Sequence, residues 1–460
     1  MAFSVDGQRI TVVGAARSGI AAAELLVRKG ARVRLSDSRT ELAEGGRLAA
    51  LGIELELGGH DAGQLAQADL VVMSPGVPLE QPAIAAARAA GVPVIGEIEL
   101  ASRWLQGRVI AITGTKGKST TTALVGQMLR RAGFQVTVGG NIGAPLSAQV
   151  DESTAASLHV VEVSSFQLEA IEQFHPWIAV LMNFSPDHLD RHSSLGAYGR
   201  AKARIFENQD GDDWAVLNAD DPASLALADG IRARRRQFSR RQRLTVGTVI
   251  DDGWIVQRGM ATVPLVPLAA IRLIGPHLVD DVLAAATVGA LAGASPEAMT
   301  AAVEQFGGLE HAMELVGERD GVRFVNDSKA TNVEAALRSV ESFERGLVAI
   351  IGGRFKGGDL RMLRSPLGSR ATAVVAIGEA RGLVREAFDD VVPVHDAASI
   401  EEAVAQAWAL ARPDGVVLLA PACASFDMFR DYAERGRRFR EAALAVIGAD
   451  DQEDRSTAVR

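Results

Sequence analysis

The stretch Ile112-Thr113-Gly114-Thr115-Lys116-Gly117-Lys118-Ser119-Thr120 constrains this chain more than any other. It follows the apolar run 109–112, which reads as a buried strand. It precedes 120–131, where Ala123, Leu124, Met128 and Leu129 recur at helical spacing. A strand, a glycine-bearing turn and a helix N-terminus make a phosphate cradle: backbone N–H groups and the helix dipole face the anion, and glycine admits it closely. Lys118 is placed for the outer phosphates, and the hydroxyl of Ser119 or Thr120 for Mg²⁺. The common P-loop spacing would need glycine at 112, where this chain has Ile112, so G-T-x-G-K-[ST]-T is the tighter word. The bland alternative is an ordinary glycine-rich turn.

At 460 residues the chain suits three domains, at about 150 residues each. No apolar run reaches the roughly 18–20 residues of a membrane span, and Met1-Ala2-Phe3-Ser4-Val5-Asp6 lacks the features of a signal peptide. The single cysteine, Cys423, excludes internal disulfides and fits a reducing cytoplasm. A net charge of −9 argues against nucleic acid as a partner. A cytoplasmic monomer without membrane insertion is expected, with 449–460 as a disordered tail.

The first ninety-odd residues alternate strand and helix patterns, and an α/β doubly wound parallel sheet is expected there. The strand 9–13 enters Gly14-Ala15-Ala16-Arg17-Ser18-Gly19, a turn like G-x-G-x-x-G with Ala16 at the middle glycine. The next strand ends at Asp37-Ser38-Arg39, where Asp37 could accept from a ribose or base. A second α/β unit carries the phosphate loop, then Gly139-Gly140-Asn141-Ile142-Gly143. The run 159–169 reads as a strand, with Val161 and Val163 buried opposite Glu162. After the strand 178–182 comes Asn183-Phe184-Ser185-Pro186-Asp187-His188-Leu189-Asp190, and then a helix with Tyr198 and Lys202. Glu162 and His188 thus follow strands beside Lys118 and suit Mg²⁺; in isolation each reads as a capping Glu and a surface His. A third, Rossmann-like unit delivers Asn326-Asp327-Ser328-Lys329-Ala330-Thr331-Asn332, Gly352-Gly353-Arg354-Phe355-Lys356 and Ala420-Pro421-Ala422-Cys423-Ala424-Ser425-Phe426-Asp427 at strand ends. Lysines and hydroxyls there suit an anionic ligand.

Together these words resemble the Mur ligase family of peptidoglycan synthesis across nearly the whole chain, most closely its glutamate-adding branch. The stretches that match are 112–120, 139–143, 162–169, 187–191, 326–332 and 421–427. The resemblance implies three domains: 1–96 for the UDP moiety, a central P-loop-type ATPase domain at 97–308, and a Rossmann-like domain at 309–448 for the incoming glutamate. Carried over residue by residue, Arg17, Ser18, Gly19, Asp37, Ser38 and Arg39 would hold UDP, with Gly76 and Asn141 along the muramoyl sugar. Gly114, Thr115, Lys116, Gly117, Lys118, Ser119 and Thr120, with Asp281 and Asp327, would contact ATP. Ser119 and Glu162 would hold one Mg²⁺, and His188 a second. Lys202 matches a lysine that the family carbamylates. Lys329, Thr331, Lys356, Ser425 and Phe426 would line the glutamate site. The implied partners are UDP-N-acetylmuramoyl-L-alanine, D-glutamate and ATP. The implied reaction activates the alanyl carboxylate as an acyl phosphate, which the glutamate amine then attacks.

Three departures fall on the ATP side. Lys116 stands where the family has Asn, the family's His-Asn-x-x-Asn reads His277-Leu278-Val279-Asp280-Asp281, and its His-Arg reads His311-Ala312. They keep open a non-catalytic homologue that binds UDP-sugar alone. An NAD-dependent dehydrogenase and a folylpolyglutamate synthase-like ligase are the other rivals. The first lacks a catalytic dyad near Ala16; the second would not start with a UDP-type domain.

Overall fold

The structure, a computed structural model, describes residues 3–188, 191–271 and 276–448, the side chains of Pro276 and His277 excepted. The expected tail at 449–460 lies outside the described residues, as do Leu189 and Asp190. The chain divides into two compact units, Met1–Ala270 with Asp280–Val303, and Ile271–Val279 with Glu304–Arg460. Among the described residues no helix is long and apolar enough to cross a membrane.

The first unit holds two sheets. β1 (Arg9–Val13), β2 (Arg32–Asp37), β3 (Glu54–Leu57), β4 (Leu70–Met73) and β5 (Val94–Gly96) form a parallel sheet in the order β3-β2-β1-β4-β5. This is the doubly wound arrangement that the alternation of patterns predicts. Gly14 takes φ +94°, and a Cβ at Gly19 would stand 1.8 Å from the Gly14 carbonyl oxygen. Glycine at 19 therefore lets the helix Arg17–Arg28 start against the turn.

The second sheet is β6 (Arg108–Thr113), β7 (Gln135–Gly140), β8 (Ser157–Glu162), β9 (Ile178–Leu181), β10 (Trp214–Asn218), β11 (Arg234–Ser239), β12 (Gly247–Asp251), β13 (Trp254–Arg258) and β14 (Val263–Pro267). Its order is β14-β13-β12-β11-β10-β9-β6-β8-β7, with β13 and β14 added antiparallel. β6 lies between β8 and β9, so the loops after these three strands open on one crevice, where parallel sheets bind ligands.

The run 159–169 is not one strand. β8 stops at Glu162, and Ser164 caps the short helix Ser165–Leu168: Gln167 N donates to Ser164 Oγ while Ser164 N donates to Gln167 Oε1. This capping box satisfies the backbone better than further pairing could. Alternation also fails within β8. As an inner strand covered on both faces it buries all six residues, Glu162 included.

The second unit is built on β15 (Glu314–Arg319), β16 (Val322–Asn326), β17 (Leu347–Gly352), β18 (Ala371–Ile377), β19 (Val394–Asp396) and β20 (Val416–Leu419), in the order β15-β16-β20-β17-β18-β19. Only β15 runs antiparallel among the paired strands. The loops leaving β16, β20 and β17 are thus neighbours.

Glu99, fully buried in the helix Glu97–Ser102, fastens the first sheet to the second. Its Oε2 accepts the backbone N–H groups of Glu172, Gln173 and Phe174 at 2.8, 2.9 and 2.8 Å, and its Oε1 accepts from Arg103 Nε at 2.9 Å. Removing the carboxylate orphans four donors at once. Glu99→Ala should cost about 3–5 kcal/mol in urea unfolding, and Glu99→Gln less, because an amide oxygen still accepts. A loss below about 1 kcal/mol in the alanine variant would show the staple to be dispensable.

Candidate active site

The phosphate loop leaves β6 through two glycines in conformations that other residues rarely adopt, Gly114 at φ +152° and Gly117 at φ +80°. Each is also a close approach. A Cβ at Gly114 would lie 2.8 Å from the Met182 side chain, and one at Gly117 only 2.1 Å from Asp281 Oδ1. Gly117 then caps the helix Lys118–Arg131.

Asn183, at the exit of β9, straps the loop down. Its Oδ1 accepts from Thr115 N at 3.1 Å and Lys116 N at 2.9 Å, while its Nδ2 donates to the Lys116 carbonyl at 3.1 Å. Thr115 Oγ1 donates to the Ser185 carbonyl and lies 3.3 Å from the Tyr198 hydroxyl. Lys118 Nζ donates back to the Thr115 carbonyl at 3.0 Å, which keeps the ammonium over its own loop.

Glu162 is 2% exposed at the tip of β8. Its Oε2 accepts from Ser119 Oγ at 2.6 Å and its Oε1 from Asn141 Nδ2 at 2.7 Å. The structure thereby brings together three residues expected at the nucleotide and the sugar. Lys202 joins them from the helix Leu195–Ala203. It is 1% exposed, lies 4.7 Å from the centre of the Tyr198 ring, and donates to the Gly114 carbonyl at 2.6 Å. Burial, reinforced by the Lys118 charge, pulls its amine down to about 7.

His188 has φ +52° and is half-exposed, with its ring edge-on to Phe166 at 5.2 Å. Phe166 is also stacked on His192, at 5.2 Å and 11°, and covered by Arg191. His192 is buried, with Nε2 2.9 Å from Ser165 Oγ and Nδ1 3.2 Å from Glu169 Oε1. It locks the helix Ser165–Leu168 beside His188. Neither Asn183 nor His192 is marked by local spacing; both act only because the fold brings β9 and the helix Ser165–Leu168 to the loop.

Arg17, Ser18, Gly76 and Asn141 line one cavity of about 250 Å³, with Gln167 on its wall. Arg17 donates to the Gly143 carbonyl at 2.6 Å across its mouth. Gln167 lies in the matched stretch 162–169, where the resemblance assigns it no role. Its Oε1 is used by the capping box, and its buried Nε2 has no partner among the described residues. Asp37 shapes the turn: its Oδ2 accepts from Ala15 N at 2.6 Å and its Oδ1 from Arg39 N and Nε at 2.9 Å. Burial alone would raise this carboxyl, but the hydrogen bonds from Arg39 and Ala15 outweigh it and hold it at about 2. Ser38 is exposed at the strand end, and Gly19 is buried under the turn.

Asp281 is 3% exposed on the helix Pro276–Ala292, wedged against the Cα of Gly117. Burial, with Asp280 beside it, pushes its carboxyl well above the usual range. Asp327 belongs to the second unit, where its carboxyl accepts from Ser339 Oγ and from Met313 N. Lys329 and Thr331 share its loop. That loop meets the one after β20, where Ala422 N donates to the Ala330 carbonyl. Arg354 and Ala424 exchange backbone hydrogen bonds, which brings in the loop of Lys356. Ser425 is buried and Phe426 is 62% exposed.

Comparison with known proteins matches three stretches of the chain. Residues 8–96 fit the model of the MurD-like N-terminal domain of Mur ligases, 112–289 the Mur ligase middle domain, and 311–423 the Mur ligase glutamate ligase domain. The UDP-N-acetylmuramoylalanine–D-glutamate ligase of Acidobacterium capsulatum is 46% identical, over 97% of this chain and 98% of its own length. That of Geobacter metallireducens is 45% identical, over 96% and 99%. The solved UDP-N-acetylmuramate–alanine ligase of Thermotoga maritima shares the fold, with a TM-score of 0.57 at 20% identity over 95% of this chain and all of its own. With the phosphate loop, the Glu162 tip and the buried Lys202 on one crevice, and relatives matched from end to end, the chain belongs to the Mur ligase family.

Proposed function

We propose that the chain joins D-glutamate to UDP-N-acetylmuramoyl-L-alanine, driven by ATP, as a monomer in the cytoplasm. The observation that carries this reading is the double role of Asn141. It lines the cavity beside Arg17 and Ser18, and it grips the carboxylate that Ser119 also holds. The cavity assigned to the UDP-sugar and the cradle assigned to ATP thus share a residue, as transfer of a phosphoryl group to the sugar's peptide requires. Relatives 41–46% identical over nearly the whole chain favour this over a folylpolyglutamate synthase, and the N-terminal family match favours it over a dehydrogenase. We adopt 1–96, 97–308 and 309–448 as the UDP, ATP and glutamate domains.

The family uses ATP and Mg²⁺. The oxygen set of Ser119 and Glu162 suits a hard cation, since among the described residues this buried carboxylate is met by neutral donors and its charge is left for one. We assign one Mg²⁺ to these two residues and a second to His188 and a carbamylated Lys202. When bound, the ions offset the charge spread over the transferring phosphoryl group. The residues of the chain do the rest. Lys118 meets the outer phosphates, the loop N–H groups hold the triphosphate, and Asn141 with Gln167 orients the substrate whose carboxylate attacks the γ-phosphorus. Asp281 and Asp327 are kept as nucleotide-side residues. Lys329, Thr331, Lys356, Ser425 and Phe426 are assigned to the glutamate that then attacks the acyl phosphate.

Carbamylation follows from the state of Lys202. Only a neutral amine attacks CO₂; the C–N bond forms as one C=O π pair moves onto oxygen, one proton leaves the nitrogen, and the neutral amine becomes a carbamate anion. An ammonium buried beside Lys118 is disfavoured, so the neutral form is available near pH 7. Lys202→Ala should lose most activity, and acetate or formate should restore part of it. In the native enzyme stripped of CO₂, recovery with bicarbonate should slow as pH falls through about 7, because the amine is then protonated. A fully active Lys202→Ala variant would sink the assignment.

Lys356→Ala should raise KM for D-glutamate at least about 10-fold more than KM for ATP, as loss of a charge-assisted contact predicts. Equal rises would point to a shared role instead. Lys116 is an added cation on the phosphate loop, in a chain where Ala312 removes one. Lys116→Asn, although it installs the family's residue, should raise KM for ATP about 3–10-fold. An unchanged or lower KM would refute the compensation.

A further inference from the structure

Arg435 heads the largest fully buried side chains among the described residues and has no part in the chemistry above. It lies in the first turn of the helix Tyr432–Gly448, the end at which the helix dipole repels a cation. Its Nε donates to Ser328 Oγ at 3.0 Å, and its terminal nitrogens to the carbonyls of Ser328 at 2.9 Å and Cys423 at 3.1 Å. All three acceptors are neutral. Among the described residues, no carboxylate stands within ion-pair distance of it. Burial pulls its pKa down to about 10, against which Cys423 and Asp427 act only partly, so it stays charged at neutral pH.

A buried cation held by neutral partners alone is a poor source of stability. Apolar packing would join the same two loops at less cost, and Asp427 offsets the charge only in part, so the charge is matched by a further anion from outside. In a medium of low dielectric its field reaches past the first layer of atoms. The loops it holds carry Lys329, Thr331 and Ser425, and the loop of Lys356 is joined to the second of them by the backbone pair of Arg354 and Ala424.

We propose that Arg435 is a specificity-determining residue that acts from behind the loops after β16 and β20, its charge selecting an acceptor amino acid with a second carboxylate over one with a neutral side chain. The proposal rests on the assignment of these loops to glutamate.

The test separates charge from staple. Arg435→Lys keeps the charge and loses the fork; Arg435→Gln keeps hydrogen-bonding groups and loses the charge. KM for D-glutamate and for ATP, and the ratio of kcat/KM for D-glutamate over D-glutamine, are read on the full chain. Arg435→Gln should raise KM for D-glutamate about 10-fold or more and narrow the ratio about as much, with KM for ATP within about 2-fold. Arg435→Lys should keep the ratio. If Arg435→Gln keeps the ratio, or Arg435→Lys loses it, the proposal is overturned. Should Arg435→Gln fail to fold, Arg435→Lys decides alone, with Ser328→Ala expected to keep the ratio. Lys356→Ala distinguishes the two levels. If it leaves KM for D-glutamate unchanged, the loop assignment falls and this inference with it; if it raises KM while Arg435→Gln does not, only the inference falls.

Discussion

The hydrogen bond from Lys202 Nζ to the Gly114 carbonyl, 2.6 Å long, joins the helix Leu195–Ala203 to the first residue of the phosphate loop. It is made by an amine with almost no access to water, next to a second lysine. Such an arrangement persists only if the amine can shed its charge or acquire a compensating one. The loop above it is shaped by two glycines and strapped by Asn183, so neither partner can retreat. The instability of the charge is therefore built into the same geometry that shapes this loop.

The other buried charges are solved differently. Glu99 meets three backbone donors and an arginine, and serves as a structural rivet. Asp37 meets Ala15 N and Arg39, and shapes the turn before the cavity. Among the described residues Glu162 meets a hydroxyl and an amide, both neutral. What divides rivet from site is thus the kind of donor each carboxylate finds. Burial alone does not separate them, since Glu99 and Glu162 are both almost inaccessible.

This distinction also marks what could be read before the fold was known. The phosphate loop is legible because its glycines answer a local requirement, positive φ beside a helix start. The strands at 9–13, 70–73 and 416–419 are legible as apolar runs bounded by turns. The run 159–169 reads as strand because its apolar residues alternate, yet Ser164 and Gln167, three apart, are the capping-box signal that stops it. Asn183, His192 and Arg435 have no such signal. Each takes its meaning from a neighbour far away in sequence: Thr115, Ser165 and Ser328. The strands 254–258 and 263–267 likewise extend the central sheet antiparallel, where periodicity alone does not announce a partner.

Asp281 shows how burial changes what a residue type means. As a carboxylate it would accept hydrogen bonds but never donate, and it would face the triphosphate as a like charge. In the structure it is wedged against Gly117 and shut off from water, with Asp280 adding a second negative charge nearby. Both effects favour the neutral acid. A neutral carboxyl carries one donor and one acceptor face, as an amide does in the same volume. Its Oδ2 is buried and without a partner among the described residues, so one polar valence stays available, as it would on asparagine. The departure at 281 is thus smaller in chemistry than in spelling. The same wedge adds to the φ of +80° in favouring glycine at 117: a Cβ there would stand 2.1 Å from the carboxyl oxygen.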